Sequence, residues 1–200
     1  MIVKICGITR PEDAEAAAGA GASAIGFIFW PASPRFIDPY RAKAIARRTP
    51  AFTTLVGVFV NQPPAYINAV SSLVGLGAVQ LHGDEIPDVL RDIRRPVIKA
   101  LSGAAIATAD AWPLPVTLLV DAHDPVKRGG TGETADWTSA AALAGSRRVV
   151  LAGGLRPENA AAAVAAVKPF AIDVSSGVEV SPGVKSPERI SALFRALELS

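Results

Sequence analysis

An α/β fold, a closed eight-stranded parallel (β/α)8 barrel, is the architecture this sequence predicts. Three observations carry it. Short apolar runs alternate with helix-like segments along the whole chain. There are eight such pairs in 200 residues, close to the lower limit of about 200 residues for this architecture. Glycines and polar residues also gather just after the apolar runs, at what would be one end of the sheet. Parallel strands need a crossover, usually a helix, and eight right-handed crossovers close a barrel. The alternative is an open doubly wound sheet. Its first strand commonly leads into G-x-G-x-x-G, whereas here Cys6-Gly7-Ile8-Thr9 follows.

Each element can be justified in order. The runs Ile2–Ile5, Ala24–Phe29, Thr54–Val60, Ala78–Leu81, Pro96–Ala100, Thr117–Asp121, Arg148–Ala152 and Phe170–Val174 read as strands. Several are apolar at nearly every position, as strands covered on both faces require. Pro11–Gly19 reads as the first helix, with Pro11 in its first turn and Glu12 and Asp13 favouring the dipole. Pro39–Arg48 follows Asp38 in the same way. Further helices are expected at Pro63–Val74, Glu85–Ile93, Ala104–Ala111, Thr134–Ala144, Pro157–Val167 and Pro187–Leu197. There is no linker or low-complexity tract, so residues 1–200 are expected to form a single domain. Of the 100 apolar residues, 37 are alanine, so large aliphatics are fewer than the composition first suggests.

Composition narrows the function. The net charge is +2, with no block of Lys and Arg, which argues against nucleic acid as partner. One cysteine excludes an internal disulfide framework and a cysteine-cluster zinc site, and two histidines leave little for a metal. No apolar run reaches the roughly 18 residues of a membrane span, and the N-terminus does not read as a secretory signal. A cytoplasmic enzyme acting on a small molecule is the expectation. Monomer and homodimer are both compatible with the residues.

In such a barrel the active site lies at the C-terminal ends of the strands. Cys6 stands after the first run and Asp121 closes the sixth. Cys6 reads either as a small buried hydrophobe or as a thiolate base whose pKa is lowered by local dipoles or cations. Asp121 reads either as a loop carboxylate or as a proton donor. Arg35, in a Pro-flanked loop, is a natural partner for a substrate carboxylate. His82 is a lining residue. Gly153 and Gly154 follow the seventh run, and Ser175, Ser176 and Gly177 follow the eighth. Backbone amides in such loops bind anions, and barrels frequently hold phosphate there. The glycine-rich stretch Gly129–Gly132 is expected to close over substrate.

These segments taken together resemble one family. Val3-Lys4-Ile5-Cys6-Gly7-Ile8-Thr9, Gly26-Phe27-Ile28-Phe29 with Ser33-Pro34-Arg35, Val56-Gly57-Val58-Phe59-Val60-Asn61 and Val79-Gln80-Leu81-His82-Gly83 are similar to phosphoribosylanthranilate isomerases of tryptophan biosynthesis. So are Asp121 with Gly129–Gly132, Leu151-Ala152-Gly153-Gly154-Leu155 with Pro157-Glu158-Asn159, and Asp173 through Glu179. The resemblance implies a TIM barrel that carries out an Amadori rearrangement of a phosphorylated aminosugar without cofactor or metal. It implies Cys6 as general base, Asp121 as general acid and Arg35 on the anthranilate carboxylate. It implies that the glycines and serines after strands 7 and 8 hold the phosphate. Ser102–Pro115 matches none of the family's motifs. A related barrel, indole-glycerol-phosphate synthase, would call for a catalytic lysine, which Lys4 or Lys99 could supply. A dual-substrate isomerase of histidine and tryptophan synthesis would carry an acidic residue in place of Cys6. A non-catalytic phosphate-binding barrel would keep the glycine loops and not need Cys6 with Asp121.

Overall fold

The computed structural model describes residues 1–121 and 137–198. Eight parallel strands close a barrel in sequence order: β1 (Ile2–Cys6), β2 (Ala24–Ile28), β3 (Thr54–Phe59), β4 (Ala78–Leu81), β5 (Val97–Ser102), β6 (Thr117–Asp121), β7 (Val149–Ala152) and β8 (Ala171–Val174). Closure is made where β1 pairs with β8, Lys4 lying beside Asp173. On its other side β1 places Cys6 beside Gly26. A short antiparallel hairpin, β9 (Glu179–Ser181) with β10 (Val184–Lys185), follows β8.

The helices start as their sequences dictate. α1 (Pro11–Gly19) has proline at its first position, and Arg10 before it pairs with Asp13 at 2.5 and 3.0 Å. α2 (Pro39–Ala46) is capped by Asp38, whose carboxylate accepts from the Tyr40 and Arg41 amides. α3 (Pro64–Val74) stops at Gly75, whose φ of 81° is the left-handed conformation that ends helices. α4 (Trp137–Ala144), α5 (Ala160–Val167) and α6 (Pro187–Glu198) complete the outer layer.

Two expected helices are replaced by 3-10 turns. In place of a helix at Glu85–Ile93 there is a five-residue turn, Pro87–Arg91. Gly83, Asp84 and Glu85 are committed to contacts with Asn61 and Lys99. Asn68 of the preceding helix holds the far end, donating to the Asp92 carbonyl and accepting from the Arg94 amide, so only Pro87–Arg91 turns between the two anchors. In place of Ala104–Ala111 there is a 3-10 segment, Gly103–Ala111. Its inward residues Ile106 and Ala109, with Trp112 beyond, recur every third position, the period of a 3-10 helix. Arg147 closes it by donating to the Ala109 and Pro113 carbonyls. The seventh helix begins at Ala160, not Pro157, because Pro157–Asn159 form a turn. The first three residues of the expected Thr134–Ala144 helix lie outside the described residues.

The core has two parts. The larger lies between sheet and helices and contains Phe27, Phe29 and Phe59, all fully buried. Burying each contributes about 1.5–3 kcal/mol. The smaller fills the barrel itself: Ala100, Leu119, Val150, Ala152 and Ala171, with Ile98 against them. Three of those five are alanine, so part of the alanine-rich composition fills the barrel interior.

Candidate active site

The two clusters sort every strand residue into inward and outward, because side chains alternate along a strand. On β5 to β8 the barrel-filling residues fix the inward set, and counting on by two adds Asp121, Asp173 and Ser175. On β1 and β4 the residues Val3, Ile5, Val79 and Leu81 pack outward, leaving Lys4, Cys6, Gln80 and His82 inward. Polar groups thus form two tiers. Lys4, Gln80 and Asp173 make a buried floor. Cys6, His82 and Asp121 stand one step higher, at the C-terminal mouth. Lys99 falls outward between Ile98 and Ala100. Its ammonium donates to the Gly83 carbonyl at 2.6 Å and Glu85 at 2.7 Å, and lies 5.4 Å from the Trp112 ring. It is therefore structural, which removes one of the two candidates for a synthase's catalytic lysine. Lys4 is inside the barrel, but its ammonium is bound by Asp173 at 2.8 Å and Gln80 at 2.9 Å.

Cys6 ends β1 with its side chain against Gly26 of the next strand. A Cβ on Gly26 would stand 2.8 Å from the Cys6 sulfur and 3.1 Å from Lys4 Cε. Only glycine there leaves the thiol its place. The surroundings do not lower the thiol pKa, as the thiolate alternative would have it. Burial pushes the Cys6 thiol up, Lys4 and Lys185 pull it down, Asp173 adds to the rise, and the net direction is upward. At neutral pH the thiol is mainly protonated. The lysines limit the rise rather than reverse it. Lys4 itself keeps its charge: burial opposes it, but Asp173 and Cys6 together outweigh burial and raise its pKa. A titration checks this. The chain has a single cysteine, so the ultraviolet thiolate signal, taken as wild type minus Cys6→Ser, reports one group. We expect it to develop only above the free-thiol range, since a raised pKa keeps the proton on to higher pH. Appearance of thiolate near neutrality would contradict the burial argument.

Arg35 projects toward the same mouth, and a residue to which the sequence assigned no role holds it there. Glu179, at the start of β9, accepts from Arg35 Nε at 2.9 Å and Nη2 at 2.7 Å. The edge of the guanidinium bearing Nη1 is not engaged by Glu179, and a second carboxylate can meet it there. Lys185 of β10 donates to Glu179 at 2.7 Å and to the Ser175 carbonyl at 3.2 Å. Burial works against the Glu179 charge, but the bonds from Arg35 and Lys185 prevail and hold its carboxyl below the ordinary range. Gly7 makes room for this clamp. Its φ is +76°, and a Cβ there would stand 2.7 Å from Arg35 Cδ.

The loops after β7 and β8 are pressed together. A Cβ on Gly177 would collide with the Leu155 carbonyl, so the close approach of the two loops requires glycine at 177. Gly153 and Gly154 both have positive φ, at 89° and 65°, and Asn159 bridges this turn by donating to the Gly154 carbonyl and accepting from the Arg156 amide. Ser176 is exposed at the start of a 3-10 turn, Ser176–Val178. Ser175 stands just before it, at the end of β8. Its hydroxyl donates to the Cys6 carbonyl at 3.1 Å and thereby ties β8 to β1. Gly129–Gly132, the expected lid, and His123 lie outside the described residues.

His82 is open to solvent at the mouth. Burial of its surroundings lowers its pKa, with Asp121 opposing and Lys4 assisting, so the ring is neutral. Among the described residues no group of three His, Cys, Asp or Glu is arranged to hold a metal ion, and no helix is long and apolar enough to cross a membrane. Two shallow hollows of about 390 and 470 Å³ lie at the opposite end of the barrel, near Leu55 and Gly75, and touch none of the candidate residues. The sequence reading missed the roles of Lys4, Gln80, Asp173, Glu179 and Lys185. A signal for the first three was present. Each stands two positions before a candidate residue (Cys6, His82 and Ser175), so period-two counting puts a polar group on the inward face. Glu179 and Lys185 carry no such mark, because the hairpin that holds them interrupts the repeat.

A (β/α)8 barrel with a thiol and a carboxylate at the C-terminal ends of its strands defines the class, a barrel enzyme with its site at that mouth. Its place within that class comes from comparison. Residues 3–196 match the family model of N-(5'-phosphoribosyl)anthranilate (PRA) isomerase, and the chain belongs to that family. An N-(5'-phosphoribosyl)anthranilate isomerase of Citrifermentans bemidjiense is 50% identical over 194 residues, covering 96% of this chain and 94% of that protein. The crystal structure of phosphoribosyl anthranilate isomerase from Thermotoga maritima superposes with a TM-score of 0.89 at 41% identity, over 100% of both chains. A phosphoribosyl anthranilate isomerase crystallised with reduced 1-(o-carboxyphenylamino)-1-deoxyribulose 5-phosphate superposes with a TM-score of 0.86 at 39% identity, again over 100% of both chains. The function is isomerisation of N-(5-phosphoribosyl)anthranilate to 1-(2-carboxyphenylamino)-1-deoxyribulose 5-phosphate in tryptophan biosynthesis.

Proposed function

We propose that Cys6 and Asp121 carry this isomerisation as general base and general acid, within a single catalytic domain spanning residues 1–200 and working in the cytoplasm. The observation that supports the assignment most is that both end inward-facing registers at the C-terminal mouth, one a thiol and one a carboxyl. Asp121 donates a proton to the furanose ring oxygen. The bond from that oxygen to C1' breaks, and the anthranilate nitrogen supplies electrons to form a Schiff base. The C2' proton is thereby made acidic, and the Cys6 thiolate removes it. The resulting enolamine gains a proton at C1' and loses the one on the C2' hydroxyl, which leaves the ketone. Atoms and electrons balance within the substrate, so the sequence of steps calls for no cofactor. The raised thiol pKa has two consequences of opposite sign. The thiolate is scarcer at neutral pH, and each thiolate is a stronger base.

Arg35 binds the anthranilate carboxylate through the edge that Glu179 leaves. Gly153, Gly154, Ser176 and Gly177 receive the phosphate on backbone amides, and His82 lines the sugar. Ser175 supports that cradle from behind, by its bond to the Cys6 carbonyl. Turnover of freshly prepared substrate, followed by loss of anthranilate-type fluorescence, is the test. Arg35→Ala should raise KM by about 10- to 100-fold, the order of a charge-assisted hydrogen bond, with a smaller change in kcat. An unchanged KM would remove Arg35 from the carboxylate.

A further inference from the structure

The hydrogen bonds of the barrel floor determine where the proton of His82 sits. Lys4 Nζ lies 2.9 Å from Gln80 Oε1. An ammonium has donors only, so the atom facing it must be the amide oxygen. That settles the orientation of the Gln80 amide, which distance alone leaves ambiguous. The other end of the amide, Nε2, then faces His82 Nδ1 at 2.9 Å. An amide nitrogen donates, so Nδ1 accepts and carries no hydrogen. A neutral imidazole must then bear its proton on Nε2, the side of the ring away from the floor. Gln80 is 1% exposed and Lys4 4% exposed, so water does not compete for the bond between them. Asp173 completes the chain by fixing the other side of Lys4 at 2.8 Å.

We infer that Gln80 is a positioning residue, which reads the orientation of Lys4 and holds His82 as the Nε2-protonated tautomer. His82 thereby offers a fixed hydrogen-bond donor at the mouth to an oxygen of the sugar phosphate. This rests on the reading that His82 lines the substrate site. It gives the floor a task in the reaction. A histidine locked as a neutral donor orients a sugar oxygen and does not compete with Cys6 for the C2' proton. Asp121, rather than the imidazole, remains the proton source.

Nitrogen-15 NMR of histidine-labelled protein tests this without any turnover. The chain has two histidines, and His82→Asn identifies the signals of His82. In the wild type we expect one His82 form, protonated at Nε2, rather than the exchanging mixture of a free imidazole. A proton on Nδ1, or an exchanging mixture, overturns the inference even if every kinetic assignment above holds. Adding reduced 1-(o-carboxyphenylamino)-1-deoxyribulose 5-phosphate should shift the Nε2 signal. No shift would remove His82 from the substrate while leaving Cys6 and Asp121 untouched. Gln80→Glu keeps an acceptor for Lys4 and offers His82 only acceptors. It should move the imidazole proton to Nδ1 and lower kcat/KM about tenfold or more, the order of one hydrogen bond lost. An unmoved proton in that variant, or a moved proton with unchanged kcat/KM, contradicts the positioning role.

Discussion

Cys6→Ser lowers kcat by about 100- to 10,000-fold, the usual contribution of a general base, and changes KM by no more than a few-fold. The physical reason is the acidity of the replacement group. A serine hydroxyl holds its proton far more tightly than a thiol, even one whose pKa burial has raised. It is close in shape to the thiol and smaller, so it fits the space beside Gly26 that an added Cβ would close. Binding groups remain in place, because among the described residues the Arg35–Glu179–Lys185 clamp and the two phosphate loops draw no side-chain hydrogen bond from Cys6. The Ser175 hydroxyl donates to the Cys6 backbone carbonyl, which the substitution retains. Steady-state kinetics, beside binding of the reduced product analogue, separates the two effects. Near-normal kcat would leave Cys6 as a packed core residue.

Asp121→Asn is expected to have an effect of similar size through a different step. Ring opening without a proton donor must expel an alkoxide, and an amide does not supply the proton. The substitution is nearly isosteric, and Asp121 stands at the end of β6 beside Ser102 and Ala152, so the barrel should close as before. We expect kcat to fall about 100- to 10,000-fold, with binding of the reduced analogue retained. That analogue is already ring-opened and makes no demand on the acid. Loss of analogue binding in step with turnover would reassign Asp121 to binding. Normal turnover would remove it from the reaction.

Much of this was legible before any coordinates. The eight strands stand within one or two residues of the runs read from the sequence, because strands covered on both faces leave continuous β-branched and aliphatic stretches. Cys6 and Asp121 could be placed at the mouth because Cys6 follows such a run and Asp121 closes one. The two replaced helices were hidden for opposite reasons. At Glu85–Ile93 the helix-like composition was overridden by contacts made from Gly83 to Glu85. At Ala104–Ala111 the alanines suited a helix of either period, and only Ile106, Ala109 and Trp112 distinguish three residues per turn from 3.6. The direction of the Cys6 pKa was not legible at all. It depends on Lys4, Lys185 and Asp173 surrounding a buried thiol, and Lys185 is 179 positions away along the chain. Glu179 was hidden likewise. Its partner Arg35 is 144 residues distant, and nothing local marks the contact.

The central claim is that the Cys6 thiolate removes the C2' proton. It is tested most directly by single-turnover loss of substrate fluorescence in wild type and Cys6→Ser, with hydrogen or deuterium at C2'. With a poor base in place, proton removal becomes the slow step. The account predicts that Cys6→Ser is slow and shows a larger deuterium effect than the wild type. A variant as fast as the wild type, or slow with an unchanged deuterium effect, would contradict it.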